Sequence, residues 1–226
     1  MKRRSVLGDA TRRALDVVVA SMALVALSPV LAWTAVAVAI TSGRPILFRQ
    51  VRPGLHAEPF TIVKFRTMRP TRPGEVAYLT DSQRVTRVGR FLRATSIDEL
   101  PELLNVIRGD MSLVGPRPLL MEYLETYTKR QMRRHDVRPG LTSLAIVQGR
   151  HALRFEERID LDIWYVEHRS FALDLRILRQ TVWQVLMRID AHETQDPAGI
   201  GFPLPGSMSS IASPPESIGS AAETLE

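Results

Sequence analysis

The chain contains no cysteine, which excludes a disulfide framework, a thiolate zinc site and a cysteine nucleophile, and accords with a reducing compartment. It also has no Lys or Arg after Arg188, although Glu193, Asp196, Glu216, Glu223 and Glu226 follow. The formal net charge of +6 therefore understates how basic residues 1–190 are. Such an excess of cations implies an anionic partner, and leaves nucleic acid, anionic lipid and phosphorylated substrates open. Aromatic residues almost vanish beyond Ala191, where Pro, Gly and Ser dominate, so residues 191–226 read as a disordered tail. No internal repeat is visible. A hydrophobic content of 45% excludes disorder for the chain as a whole.

Charge is also missing from Val17 to Ile40, a run of 24 residues. As one straight helix it measures about 36 Å, against a hydrocarbon core of roughly 30 Å. Three readings fit. A secretory signal peptide explains the basic start, but its apolar region is about 7–15 residues, shorter than this run. A spanning helix fits the length. Yet both flanks are basic, with Lys2, Arg3, Arg4, Arg12 and Arg13 before the run and Arg44, Arg49 and Arg52 after it. The positive-inside bias therefore points both ends to the cytoplasm. A re-entrant helix, broken at Ser28-Pro29 between two apolar halves, resolves that tie, because proline removes a backbone donor and clashes with the preceding turn.

Further along, Phe60–Met68 (FTIVKFRTM) has the aromatic and β-branched content of a strand, with Lys64 and Arg66 on one face. Residues 70–74 read as a loop and Asp81–Arg93 as a short basic helix. Leu100, Leu103, Leu104 and Ile107 recur at helical spacing within Asp98–Arg108, and Gly109 supplies the stop. The turn VGPRP (Val114–Pro118) suits neither helix nor central strand, and a helix is expected from Leu119 to about His135. Two further helices are expected over 156–188. In the second, Leu175, Leu178, Val182, Leu186 and Ile189 form one apolar stripe, which suits either core packing or, with Trp183, a resting place in the headgroup zone.

The chemistry centres on Asp98-Glu99. Acids in a first helical turn are favoured by unpaired N–H groups and the helix dipole, and Ser96 with Glu99 also fits a capping box, so a purely structural reading exists. The surroundings favour a functional one. Arg93 and Arg117 flank the pair, and Lys64, Arg66 and Arg150 lie beside strand or turn signals. Two carboxylates among several cations are the set needed for a Mg²⁺-bound diphosphate: the hard cation takes carboxylate and phosphate oxygens, and Arg forks hold the phosphates.

The segments FRQVRPG, FTIVKFRTM, RVTRVGRFLRATSIDELPELLNVIRGDMSLVGPRP, VRPG and EERIDLDIWYVEHRS together resemble the bacterial sugar transferases, monotopic phosphoglycosyl transferases acting on polyprenol phosphate. The resemblance covers roughly residues 10–188 and matches the small, catalytic-core form of the family. It implies an α+β, mostly helical fold with an N-terminal re-entrant membrane helix (1–43), a catalytic domain on the cytoplasmic face of the inner membrane (44–190, with a small β element and amphipathic interfacial helices around the active site) and the tail (191–226). It also implies that Asp98 attacks the β-phosphorus of a UDP-sugar, expelling UMP and leaving a sugar phosphate on the carboxylate for transfer to undecaprenyl phosphate. Glu99 is the implied Mg²⁺ ligand, and Lys64, Arg93, Arg117 and Arg150 are the implied phosphate and nucleotide contacts. The reaction implied is the initiating step of polysaccharide or glycoconjugate assembly.

The chain departs from the family in one stretch. Members read close to RPGITGWAQVNGRN, whereas residues 138–151 here read RPGLTSLAIVQGRH, with Leu144 for a tryptophan, Ile146 for a glutamine and Gln148 for an asparagine. The loss of an aromatic and an amide bears on nucleotide or sugar fit, and so on specificity and to a lesser degree on activity. A rival of another class, a non-catalytic peripheral membrane protein gripping anionic lipid through its basic patches, predicts no turnover of UDP-sugar. Nucleic acid fits poorly, since the basic patches match no recognised binding module and the apolar segment has no use there.

Overall fold

The apolar segment folds as two helices, α1 (Val6–Ala26) and α2 (Ser28–Ser42). In the computed structural model, which describes residues 6–71, 81–149 and 153–187, they meet at 63°. Pro29 lies in the first turn of α2 and has no N–H for the Val25 carbonyl. The Ser28 hydroxyl donates to that carbonyl instead, at 2.8 Å. Ser28-Pro29 thus turns the chain while leaving the freed acceptor satisfied. Among the described residues no single helix is long and apolar enough to cross a membrane; the bent pair passes only as a pair.

The face of α1 that turns inward is tied by polar groups as well as packed. Arg13 donates to the carbonyls of Val106 and Ile107, the latter at 2.8 Å, and Asp16 accepts from the Leu113 N–H and the Ser112 hydroxyl. Arg12 pairs with Asp174, and Asp9 with Arg169. Ala20 is buried and Ala23 and Leu24 pack on the core, whereas Val18, Met22 and Val25 on the other face are exposed. Along α2, Val38 is buried against Phe65 and Leu92 while Trp33 and Ile40 are 76% and 79% exposed.

The β content is two small sheets. β1 (Leu47–Pro53) pairs antiparallel with β2 (Pro59–Phe65), Phe48 facing Lys64, across a 3-10 turn at Leu55–Ala57. β3 (Ser112–Val114) pairs parallel with β4 (Gly140–Thr142). Gly115 prolongs that ladder by donating to the Thr142 carbonyl, so the VGPRP turn starts at a strand end. The two backbones approach so closely that a Cβ on Gly115 would lie 2.4 Å from the Arg138 oxygen, and one on Gly140 2.1 Å from the Gly115 nitrogen. Both glycines are dictated by contact.

The remaining helices are α3 (Asp81–Arg84), α4 (Arg87–Ala94), α5 (Leu103–Arg108), α6 (Lys129–Met132), α7 (Leu144–Val147), α8 (Phe155–His168) and α9 (Phe171–Met187). The expected basic helix over 81–93 is split, because Thr86 caps α4 by accepting from the Gly89 N–H. The helix expected over 119–135 is not continuous. It is a 3-10 turn (Met121–Glu125), then α6, then a second 3-10 turn (Arg133–Asp136). Thr126 donates back to the Tyr123 carbonyl, and Thr128 forms a capping box with Gln131 that starts the chain afresh.

One core gathers Ile62, Leu103, Val106, Met111, Leu113, Leu144, Tyr165 and Ile177, joining β2, α5, β3, α7, α8 and α9. A second, around Tyr123, Phe155, Ile159 and Ile163, lies under α8. On α9 the stripe does not pack as core. Leu175, Val182, Trp183 and Leu186 are exposed, Leu186 by 72%, while Ile177 is buried and Leu178 packs partly. The inward face carries Thr181, bonded to Thr142, and Gln184, which donates to the Val147 carbonyl. Ile189 and the tail at 191–226 lie outside the described residues.

Candidate active site

After α4 the chain reverses through Ser96, a non-glycine residue with φ 55°, into a 3-10 turn, Ile97–Glu102, that runs into α5. The capping box does not form, since the Ser96 side chain bonds no turn N–H. The acids are thus not accounted for as a cap. Pro101 sits within the 3-10 turn, and Asn105 locks the turn to β2 by accepting from the Val63 N–H at 3.2 Å and donating to the Thr61 carbonyl at 2.7 Å. That lock carries Lys64, the next residue of the strand, beneath the acids.

Glu99 is the hub of the charges. Its Oε1 accepts from Lys64 Nζ at 2.7 Å and from Arg117 Nη2, and its Oε2 lies 3.3 Å from Arg117 Nη1, a two-pronged grip by the guanidinium. Lys64 also sits 3.0 Å from Glu102 Oε1, off the angle of a hydrogen bond, so that buried oxygen has the charge of its neighbour but no donor. Burial opposes the Lys64 ammonium, yet Glu102 and Glu99 outweigh it and hold the group above its ordinary value. Burial opposes the Arg117 charge too, and Glu99 again prevails and raises it.

Asp98 differs from its neighbour. Its residue is 8% exposed, and among the described residues its carboxylate makes no hydrogen bond or ion pair. Burial and the Glu99 charge raise its affinity for a proton, while Lys64, Arg93 and Arg117 pull it down. Arg93 therefore acts on Asp98 through space, its Nε donating to Thr67 Oγ1 at 3.0 Å. An unbonded carboxylate ringed by three cations is free to act as a nucleophile toward an anionic group that those cations attract.

Similarity to known proteins agrees with this geometry. The family model described as bacterial sugar transferase matches residues 7–188. The chain belongs to the bacterial sugar transferase family. It is 47% identical over 199 residues to the uncharacterized sugar transferase EpsL of Bacillus subtilis (strain 168), covering 88% of this chain and 98% of that one. It is 44% identical over 194 residues to the Caulobacter vibrioides UDP-glucose:undecaprenyl-phosphate glucose-1-phosphate transferase, covering 81% and 73%. The Escherichia coli (strain K12) protein of the same name is 38% identical over 183 residues, which span 76% of this chain but only 39% of that longer relative.

Of the family positions singled out in the sequence, Lys64, Arg93, Asp98, Glu99 and Arg117 come together. Arg150 lies outside the described residues. Arg66 does not share the site with Lys64: β2 ends at Phe65, and the Arg66 side chain donates to the Arg44 carbonyl. Of the departures, Leu144 is buried in the main core and Ile146 and Gln148 are half-buried.

Two members of the site escape a reading by motif. Glu102 is 1% exposed, and burial pushes its carboxyl up to about 7, with Lys64 opposing and Glu99 adding to the rise. Arg52 of β1 is lowered to about 10 by burial and then by Arg117, and its Nη2 donates to Gln50 Oε1 at 2.7 Å. In the sequence Glu102 is one acid among three in IDELPE and Arg52 one cation of FRQVRPG, and neither stands out from its neighbours.

Proposed function

We propose that this chain transfers a sugar-1-phosphate from a UDP-sugar to polyprenol (undecaprenyl) phosphate, releasing UMP, on the cytoplasmic face of the inner membrane. The observation that carries the reading is the pairing of a free buried carboxylate, Asp98, with a neighbour, Glu99, held by Lys64 and Arg117. Asp98 attacks the β-phosphorus, the bond from that phosphorus to the bridging oxygen breaks, and UMP leaves with the electron pair. An oxygen of the lipid phosphate then attacks the same phosphorus and Asp98 departs as a carboxylate, leaving a polyprenyl diphosphate sugar. Lys64, Arg93 and Arg117 attract the diphosphate and offset the charge that develops on it. The names of the Caulobacter and Escherichia coli relatives make UDP-glucose the first donor to test.

The donor set is compatible with Mg²⁺. Among the described residues no three His, Asp or Glu side chains form a cation cage, and Mg²⁺ needs none when one or two carboxylates act with substrate phosphates and water. Glu99 is the residue to hold it, and the cation when bound neutralises diphosphate charge.

A monotopic placement is supported by where the bent pair ends. The start of α1 is tied to α5, β3 and α9, and Val38 of α2 packs on β2 and α4, so both ends meet one domain. The exposed apolar faces of α1, α2 and α9 supply the surface that a bilayer would cover. At the exit of α2, a cleft of about 610 Å³ is lined by Arg44, Arg49 and Arg66 beside Phe48, and suits an anionic headgroup.

With UDP-glucose and Mg²⁺ but no lipid acceptor, the wild type is expected to release UMP in a burst approaching one per enzyme and to retain labelled sugar phosphate. Asp98→Asn should do neither, because an amide is a poor nucleophile at phosphorus. A label that survives in Asp98→Asn overturns the assignment, and no UMP from wild type with any UDP-sugar favours the lipid-gripping, non-catalytic alternative.

A further inference from the structure

Behind the VGPRP turn lies a buried charge pair that touches none of the groups assigned to the reaction except through one backbone carbonyl. Arg134, 2% exposed, comes from the 3-10 turn after α6, and Asp162 is buried on α8. Arg134 Nη2 donates to Asp162 Oδ2 at 2.6 Å and to the Arg117 carbonyl at 2.7 Å. Its Nε reaches the same carboxylate at 3.2 Å, and its Nη1 donates to the Tyr127 hydroxyl at 3.1 Å. The guanidinium also lies over the Tyr127 ring, 5.8 Å from its centre. All three nitrogens of the head group therefore donate, and four of its five N–H groups have a partner.

The Arg117 side chain starts from the backbone unit that Arg134 holds, and its far end grips Glu99. Pro116 and Pro118 fix φ on either side, and neither can donate a hydrogen bond, so the turn has few ways of anchoring itself. Gly115 anchors it to β4 from one end. The Pro116 carbonyl accepts from the Gly140 N–H at 3.0 Å, and the Arg117 carbonyl that follows takes its donor from the buried guanidinium. Lysine would not serve equally, since a single ammonium does not present a planar fork to carboxylate, hydroxyl and carbonyl together.

We propose that Arg134, held by Asp162, is a positioning residue for the reaction: it sets the place of Arg117 by bonding its carbonyl, and so fixes where the Arg117 guanidinium meets Glu99 and the donor's phosphates. This rests on the function proposed above, since Arg117 has a substrate to meet only if that reaction is the right one. Displacing a binding group by about 1 Å commonly costs about 100-fold in rate. A lysine that preserves the charge but not the fork should lose at least about 10-fold in kcat/KM by this reasoning.

The test is a double-mutant cycle on UMP release by full-length, membrane-extracted enzyme, with Arg134→Lys and Arg117→Lys alone and together. If Arg134 acts through Arg117, its penalty should shrink to less than about 2-fold once Arg117 is already Lys, since the two changes then remove one interaction. Penalties that multiply would overturn the proposal. The same cycle read on the dissociation constant for UDP covers a double variant too slow to time.

A structural role is separated by a third variant, Arg134→Met with Asp162→Leu. Replacing both partners of a buried pair by apolar residues commonly preserves the fold, whereas removing one leaves an uncompensated charge. The proposal expects this variant to unfold near the wild-type temperature yet to retain the low kcat/KM of Arg134→Lys. Recovery of activity along with stability would overturn it. A wild-type enzyme that releases no UMP but binds UDP with an additive cycle would sink both readings, while wild-type turnover with additive penalties would sink only this one.

Discussion

Asp98 and Glu99 carry the same charge one residue apart, and the structure gives them opposite surroundings: among the described residues the Asp98 carboxylate makes no hydrogen bond or ion pair, and Glu99 is gripped by two cations. Their substitutions should therefore fail differently. Glu99→Gln is expected to lower the rate of UMP release by about 100-fold, the size of losing one preorganised electrostatic group, with part returning at high Mg²⁺. Asp98→Asn should show no return at any Mg²⁺ concentration. Titrating the metal against the two variants checks the distinction. Glu102 offers a test by pH. Its ordinary value is 4.5 and burial moves it to about 7, so within that window the folded protein keeps a proton that the unfolded chain has released. Stability must fall as pH rises through the window, by about 3 kcal/mol at most for a shift of this size. Glu102→Gln, which has no proton to lose, should show a shallower decline of unfolding midpoint between pH 5 and 7 than the wild type. Lys64, Asp98, Glu99 and Arg117 were singled out because the segments that carry them resemble the family; taken alone, the acids also fit a helix cap and each cation a solvated surface charge. Glu102 and Arg52 were not, since one reads as the polar side of a helix and the other as a membrane-flanking charge.

Among the elements, those whose period matched their surroundings were legible. The break at Ser28-Pro29 appears where the sequence puts it, whereas the strand expected over Phe60–Met68 ends at Phe65, and the helix expected over Asp98–Arg108 is a 3-10 turn to Glu102 before α5 runs to the stop at Gly109. The single helix over 119–135 failed because threonine side chains compete for backbone carbonyls and N–H groups, which composition alone does not reveal. On α9 the apolar period left core packing and an outward-facing stripe both open, and the fold takes the second. Its inward face includes Thr181 and Gln184, whose hydrogen bonds make them interior, so the sequence stripe is turned outward. Leu186→Glu should then cost little stability, within about 0.5 kcal/mol as for an exposed position. It should weaken binding to vesicles of mixed anionic lipid by about 10-fold, the worth of removing one leucine from an apolar environment. Cosedimentation with such vesicles and thermal unfolding together check the pair of expectations. Unchanged vesicle binding would return the stripe to the role of surface without a partner.

For the molecule as a whole, the decisive question is on which side of a bilayer the two ends of the N-terminal helices lie. The basic residues before the apolar run look in the sequence like a topology signal. In the fold Arg12 and Arg13 also have work inside the protein, bonding Asp174 and the last carbonyls of α5. Both helices return to the same domain, so Arg3→Cys and Arg49→Cys, introduced singly into a chain with no other cysteine, should both be shielded from an impermeant thiol reagent in intact cells and both react once the cytoplasmic face is opened. Labels on opposite sides would require a spanning helix.

The ties along α1 also restrict how freely that helix can drift in sequence. Ordinary anchoring segments tolerate almost any exchange among apolar residues. Here Asp9, Arg13, Asp16 and Ala20 recur at intervals of three and four and, with Arg12 beside them, touch the domain that carries the dyad, while Val18, Met22 and Val25 are exposed. Mutational tolerance along this helix should thus be striped with the period of the helix itself. One side answers to no contact within the protein, and the other answers to the domain that carries the dyad, so this helix and the enzyme cannot be inherited as interchangeable parts.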